Sequence, residues 1–413
     1  MPARLHATAA LLAVCLVVVL AAGGRAAPRA AVTPAEVRAL WVARTSLTSP
    51  KAVEEMVSSA RGAGFNTLLV QVRGRGDAYF SDGMEPRAAS LAGQPESFDP
   101  LATTLKLAHE QGLRVHAWVN VNLVASAVDL PDSRAHIVYR HPEWLMVPRE
   151  IAHDMALLNP RSLLYLDKLA RWVRSQRDEI EGLYLSPIPE GAANRTAQVL
   201  ADLVARYPVD GLHLDYIRFP NASFDYSREA LEAFKATLVE KLEGAGRARR
   251  ERALGVEPVA WADAHPAEWQ QFRAARLTAL VSRVRDSLRL RRPNALLSAA
   301  VYPDADRAAA DRLQDWSGWI DRRLLDVVCP MAYATDPGGF TEQVTAARRT
   351  ARDFPVWAGI GAYRLSTGQT VENIRIARRL GAAGFVLFSY DSLPTSPQGP
   401  GYLSQVSRAV FGR

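Results

Sequence analysis

Residues 209–220, VDGLHLDYIRFP, decide how the rest of the chain is read. Leu212 and Leu214 alternate with His213 and Asp215, and the apolar run stops at Asp215. That is the pattern of a buried strand whose C-terminal tip carries a carboxylate. Such a group is poorly solvated unless something pairs or uses it. Tyr216, Arg218 and Phe219 follow at once, and acid, cation and aromatic rings together suit the floor of a sugar site. Pro220 closes the run, because proline donates no hydrogen bond to a central ladder. A structural Asp–Arg pair is the competing reading, since ion pairs also place acids at strand ends.

Working outward, seven more apolar runs flank this one: 40–43, 67–72, 114–121, 296–302, 326–331, 356–360 and 384–389. They are mostly continuous rather than alternating, which marks strands buried on both faces. Helical patterns separate them, such as 50–63 behind Ser49 and 100–111 behind Asp99. About eight such units predict an α/β fold, a (β/α)8 TIM barrel in a single domain over 38–413. Long insertions follow strand three (122 to about 207) and strand four (221–293). The apolar piece 182–186 is assigned to the first insertion, because a ninth strand would not suit an eight-stranded closure.

The 413 residues are 48% hydrophobic and 23% charged, an ordinary globular balance. Residues 1–26 read as a secretory signal peptide, with a weakly basic start, an apolar run at 9–22 and small residues at the cleavage position. Residues 27–37 read as a linker. The run is short for a membrane span, which needs about 20 residues, so the expected mature protein is secreted, periplasmic or wall-associated, with no stable membrane span. Cys329 would be its sole cysteine, placed in an apolar strand where packing is the expected role. The net charge is +7, and taking Arg4 and Arg25 away with the signal leaves +5. Nearly all the cations are arginines spread along helical stretches, without the focused, aromatic-laced patch of a nucleic-acid binder.

Barrel enzymes place their active sites at the C-terminal ends of the strands. There this chain offers Arg44, Gln71, Arg73, Asp77, Tyr79, His116, Trp118, Asn120, His213, Tyr216, Arg218, Tyr333 and Tyr390 as substrate-binding candidates. Rings stack on the C–H faces of pyranoses, while amides and guanidinium groups bond hydroxyls and N-acetyl carbonyls. His116 and Trp118 read equally as barrel packing. Glycoside hydrolysis normally uses two carboxyl groups. Asp215 is the first candidate. Glu190, in the loop SPIPEG, is the candidate partner, with Asp304 and Asp336 as rivals; helix capping or a surface ion pair is the alternative for each. No HExxH, CxxC or phosphate-cradling glycine loop is present, and no cofactor or metal is expected.

At these residues the chain resembles the glycosyl-hydrolase-like 10 family of exported bacterial proteins, related to enzymes that cut peptidoglycan glycan strands. The matching pieces run in the family's order from RALWVART at Arg38 to GFVLFSYDSL ending at Leu393, and DGxHxDYxRxP and QVRxxGDAYxS are the specific ones. The resemblance implies a TIM barrel acting on carbohydrate, with an N-acetylated amino-sugar glycan such as peptidoglycan as the expected substrate. The opening stretch is also similar to the DGxDxDxE strand of family 18 chitinases. Aligned on Asp210 and Gly211, their first inner acid becomes His213, the second stays as Asp215, and Ile217 stands where the catalytic Glu would be. Residues 159–186 look like extra material, and Ser186 replaces an acid common in relatives. Two other readings stand beside hydrolysis: a non-catalytic carbohydrate-binding barrel, and a metal-dependent deacetylase or hydrolase built on His116, His213 and Asp215.

Overall fold

A computed structural model describes residues 36–240, 244–255, 259–393 and 399–412. The expected signal peptide and all but the last two residues of the expected linker lie outside them. Of those two, Glu36 leads into the first strand and Val37 begins it.

Ten strands are described: β1 (Val37–Val42), β2 (Thr67–Arg73), β3 (Arg114–Asn120), β4 (Leu123–Ser126), β5 (Gly182–Tyr184), β6 (Gly211–Asp215), β7 (Leu296–Val301), β8 (Val327–Ala332), β9 (Trp357–Ile360) and β10 (Gly384–Leu387). Eight are parallel and close a barrel in the order β1-β10-β9-β8-β7-β6-β3-β2. The fold is the TIM barrel. β5 stays outside it, paired antiparallel with β4 in the connection after β3. Among the described residues the connection from β6 to β7 carries four helices, ending with Pro266–Arg291, which buries Trp269, Leu277, Leu280, Val284 and Leu288. No helix among the described residues is long and apolar enough to cross a membrane.

The period-two alternation of each strand sorts side chains into two cores. Leu212 and Leu214 of β6 point outward, with Val70, Val115 and Val119, into the large cluster under the helices. The alternate residues fill the barrel, where Trp41, Leu69, Trp118, Cys329, Trp357 and Val386 pack together. Register sets their height. His116 lies beside Gly211, Trp118 beside His213, and Asn120 beside Asp215. The inward column of β6 is therefore Gly211, His213, Asp215, rising toward the C-terminal mouth by about 3.3 Å per residue.

The loop 73–97, long and polar in sequence, is folded down: Ala78 bridges Arg87, and Tyr79, Phe80 and Leu91 are buried. Its aromatic and apolar residues gain more from burial under the helices than its polar ones lose. Cys329 is buried in β8, where desolvation pushes its thiol up and leaves a small apolar group.

Candidate active site

Asp215 sits at the mouth, 9% exposed. One oxygen accepts the Tyr216 N–H at 2.7 Å, and the other accepts the Trp118 Nε1–H at 3.1 Å. Burial raises its pKa, opposed by the nearby Arg218 charge and by these two donors. The carboxyl is thus held in one orientation and biased toward its protonated form. It opens on a pocket of about 130 Å³ lined by Trp41, Tyr216, Arg218, Ala300, Met331, Tyr333 and Phe388. Tyr333 packs against Phe388 at 5.7 Å between ring centroids, and edge-on to Trp41 at 6.4 Å. The floor beside Asp215 is an aromatic surface.

The backbone turns sharply just past Asp215. Tyr216 has φ +49°, the left-handed region that a bulky L-residue enters only when its surroundings impose it. Val121 N–H bonds the Asp215 carbonyl at 2.8 Å and Asn122 N–H the Tyr216 carbonyl at 3.2 Å, so β3 and its extension impose the turn. Arg218 then folds back over Tyr216, its Cζ 4.3 Å from the ring centroid. One Arg218 nitrogen donates to Glu181 at 3.2 Å. Glu181, just ahead of β5, also accepts the Tyr184 hydroxyl at 2.6 Å, and its charge raises the Asp215 pKa further.

Of the predicted site residues, Asp215, Tyr216, Arg218 and Tyr333 converge on this pocket. Arg44, Gln71 and Asn120 form an adjoining chain. Arg44 Nη1 donates to Gln71 Oε1 (3.1 Å), Gln71 Nε2 to Asn120 Oδ1 (3.2 Å), and Asn120 Nδ2 to the Gly74 carbonyl (2.8 Å). Asp77 accepts the Gly74 and Arg75 N–H groups.

The others are placed elsewhere. Trp118 supports Asp215 from inside the barrel. His213 is fully buried one layer below. Its Nε2 accepts the Trp41 Nε1–H at 3.0 Å, so its Nδ1 carries the hydrogen donated to Ser298 Oγ at 2.9 Å. Burial keeps it neutral, well below the usual imidazole range. Both nitrogens are engaged, so His213 has no surface for a sugar and no lone pair for a metal. His116 is deeper still, fully buried against Trp357, with neither nitrogen partnered. These two and Asp215 occupy three successive heights and do not converge; no cluster of three His, Cys, Asp or Glu able to hold a metal occurs among the described residues. Arg73 makes a buried fork with Glu85, 2.7 Å on each arm, and also bonds the Asn120 and Val121 carbonyls. It fastens β2 to the end of β3 rather than facing substrate. Tyr79 is buried, its hydroxyl on Ser90 at 2.7 Å. Tyr390 lines a separate surface cavity with Leu393 and Tyr402.

The three candidate second carboxylates have ordinary surface roles. Glu190 is exposed and pairs with Arg283 at 3.1 Å. Asp304 and Asp336 cap the helices Ala305–Arg312 and Pro337–Ala351, accepting from the Arg307 and Gly339 N–H groups. Ile217 is fully buried in the outer core, so nothing acidic occupies its place beside Asp215. Sequence reasoning missed Glu181, Trp41 and Phe388. The two aromatics had a signal, since they lie in the terminal pieces RALWV and GFVLFS. Glu181 had none, because the insertion brings it to Arg218 from 37 residues away.

Several known proteins share this architecture. The glycoside hydrolase domain of PgaB (BpsB) from Bordetella bronchiseptica superposes with a TM-score of 0.62 at 16% identity, over 91% of this chain and 99% of that domain. In sequence, glycosyl hydrolase DigH of Escherichia coli K12 is 22% identical over 297 residues, covering 65% of this chain and 55% of DigH. Glycosyl hydrolase YngK of Bacillus subtilis strain 168 is 26% identical over 127 residues, 27% of this chain and 25% of YngK. The chain thus spans about half the length of DigH. The profile described as Glycosyl hydrolase-like 10 matches residues 36–378, and the chain belongs to that family.

Proposed function

We propose that this protein is an exported glycoside hydrolase that cleaves an N-acetylated amino-sugar polymer, such as the glycan strands of peptidoglycan. The observation that carries the reading is Asp215: a desolvated carboxyl, aimed by two N–H donors, opening on an aromatic pocket at the catalytic end of a barrel. A carboxyl whose pKa is raised by burial suits proton donation to a leaving glycosidic oxygen. Glu181, held by Arg218 and Tyr184 and raising the Asp215 pKa by its charge, is the candidate for the second carboxyl group. The pocket is smaller than the roughly 300–1,000 Å³ that encloses drug-sized ligands. It therefore leaves most of a polymer on the open rim. The family and the PgaB glycoside hydrolase domain support carbohydrate as substrate. The apolar run at 9–22 supports export.

The test is release of reducing ends from purified glycan strands. Asp215→Asn is expected to lose about 10²- to 10⁴-fold in turnover, the usual contribution of a general acid, with the barrel still folded by circular dichroism. Undiminished turnover in that variant removes the assignment. Glycan binding without product from the wild type, under every condition tried, would turn the reading to a binding barrel.

A further inference from the structure

We propose that the protein carries a second site, a pocket that binds a phosphate monoester, apart from the mouth built around Asp215. The cavity measures about 330 Å³ and shares no lining residue with the pocket at Asp215. Its walls come from the loop after β2, the connection after β3 and the helix Glu190–Arg206. Ile137, Leu185 and Val199 give it an apolar wall, and Arg140, His141 and Arg195 supply polar groups. The one carboxylate in the lining, Glu85, is already closed on Arg73 by a fork of 2.7 Å on each arm. The charge left over in the lining is therefore positive.

These groups are open to solvent, and two of them are held in place. His141 stacks flat on Trp144, with ring centroids 3.7 Å apart and planes 5° apart. Trp144 is pressed in turn against Gly191, where a Cβ would stand 2.6 Å from the indole. The imidazole Nδ1 donates to Glu143 Oε1 at 3.0 Å. Its Nε2 has no protein partner among the described residues and is not sealed from water. Arg195 donates from one Nη to the Met84 carbonyl, which ties its helix to the loop after β2. Its other two guanidinium nitrogens, and all three of Arg140, make no hydrogen bond or ion pair among the described residues, and none of them is sealed.

Two guanidinium groups and one fixed imidazole thus line a single cavity with their donors free. Like charges around one cavity repel each other, and an anion between them removes that cost. A carboxylate is met by one planar fork, whereas a phosphate offers oxygens in several directions and accepts from several cations at once. A monoester gives up its second proton near about pH 6. One proton can therefore be shared between a phosphate oxygen and His141 Nε2, a contact that a diester lacks unless the ring is already charged. The volume falls within the roughly 300–1,000 Å³ of small-molecule sites, and the apolar wall gives a carbon skeleton something to lie on. Both features fit an ester better than a free phosphate ion.

The test is calorimetry on the wild-type chain with glycerol 3-phosphate, glycerophosphoglycerol and glycerate: a monoester, a diester and a carboxylate on similar skeletons. The monoester is expected to bind at least about tenfold more tightly than either of the others at low salt, and to weaken at 1 M salt. Arg140→Gln changes an exposed side chain that has no partner to lose. It should cost at least about tenfold in monoester affinity and leave Tm and glycan turnover where they were. Arg195→Gln should weaken the monoester by a similar factor, which keeps the test independent of one variant. Equal affinity for the diester or the carboxylate overturns the proposal. So does a monoester affinity that survives both arginine changes, or no binding to the wild type at all. None of these outcomes bears on Asp215.

Discussion

Replacing Trp118 by phenylalanine tests how Asp215 is tuned. Trp118 is 3% exposed, and its Nε1–H donates to Asp215 Oδ2 at 3.1 Å. Phenylalanine keeps an aromatic ring near Phe388, whose centroid lies 6.3 Å from that of Trp118, and removes only the donor and one ring of the indole. A hydrogen bond to a charged acceptor contributes about 1.5–3 kcal/mol, and this one favours the carboxylate over the acid. Its loss moves the Asp215 pKa further up, in the same direction as burial. The assay is kcat/KM for glycan cleavage across pH 4–9, which reports ionisations of the free enzyme. If Asp215 works as the protonated acid, the alkaline limb moves to higher pH and activity persists further into base. If it works ionised, the acid limb moves to higher pH instead. The variant therefore also assigns the role. A profile that keeps both limbs in place, or shifts one toward acid, refutes the reasoning, provided thermal unfolding shows an intact fold.

Two further outcomes follow from the barrel interior. Gly211→Ala puts a methyl 2.4 Å from His116 Nδ1 and 2.7 Å from its Cγ, against a ring already backed by Trp357; overpacking of this kind costs about 1–3 kcal/mol, read as a lowered Tm that a second change, His116→Ala, should largely relieve. His116 is held at about 4 by burial, below its usual 6.5. A depressed imidazole gives stability that is present above the unfolded value and lost as pH falls through the folded one. The Tm advantage of His116→Leu over wild type should therefore widen between pH 7 and pH 4, and a constant or shrinking gap would count against a neutral buried His116.

The continuous apolar runs of the barrel strands were legible without coordinates, and so was the placing of Asp215 at a strand tip. The insertion piece GLYLS could be kept out of the barrel by counting alone. Heights within the barrel could not. Nothing in LHLDY distinguishes His213, two residues below the mouth and bonded to Trp41 and Ser298, from Asp215, which reaches it. Arg73 and Arg75 differ by one pleat and a turn, yet the first is locked on Glu85 while the second has no ion-pair partner among the described residues.

Sequence by itself determined the fold class, because eight doubly buried strands between amphipathic helices admit few closures. It also pointed to Asp215 as the first candidate acid, since that carboxylate falls where the apolar strand of the specific motif ends. The tertiary structure decided that acid's company. Glu181 reaches Arg218 across 37 residues, and such a long-range pairing depends on register and loop path rather than on local composition. The barrel motif is therefore written locally, whereas the electrostatics of its mouth exist only once the insertions have folded over it.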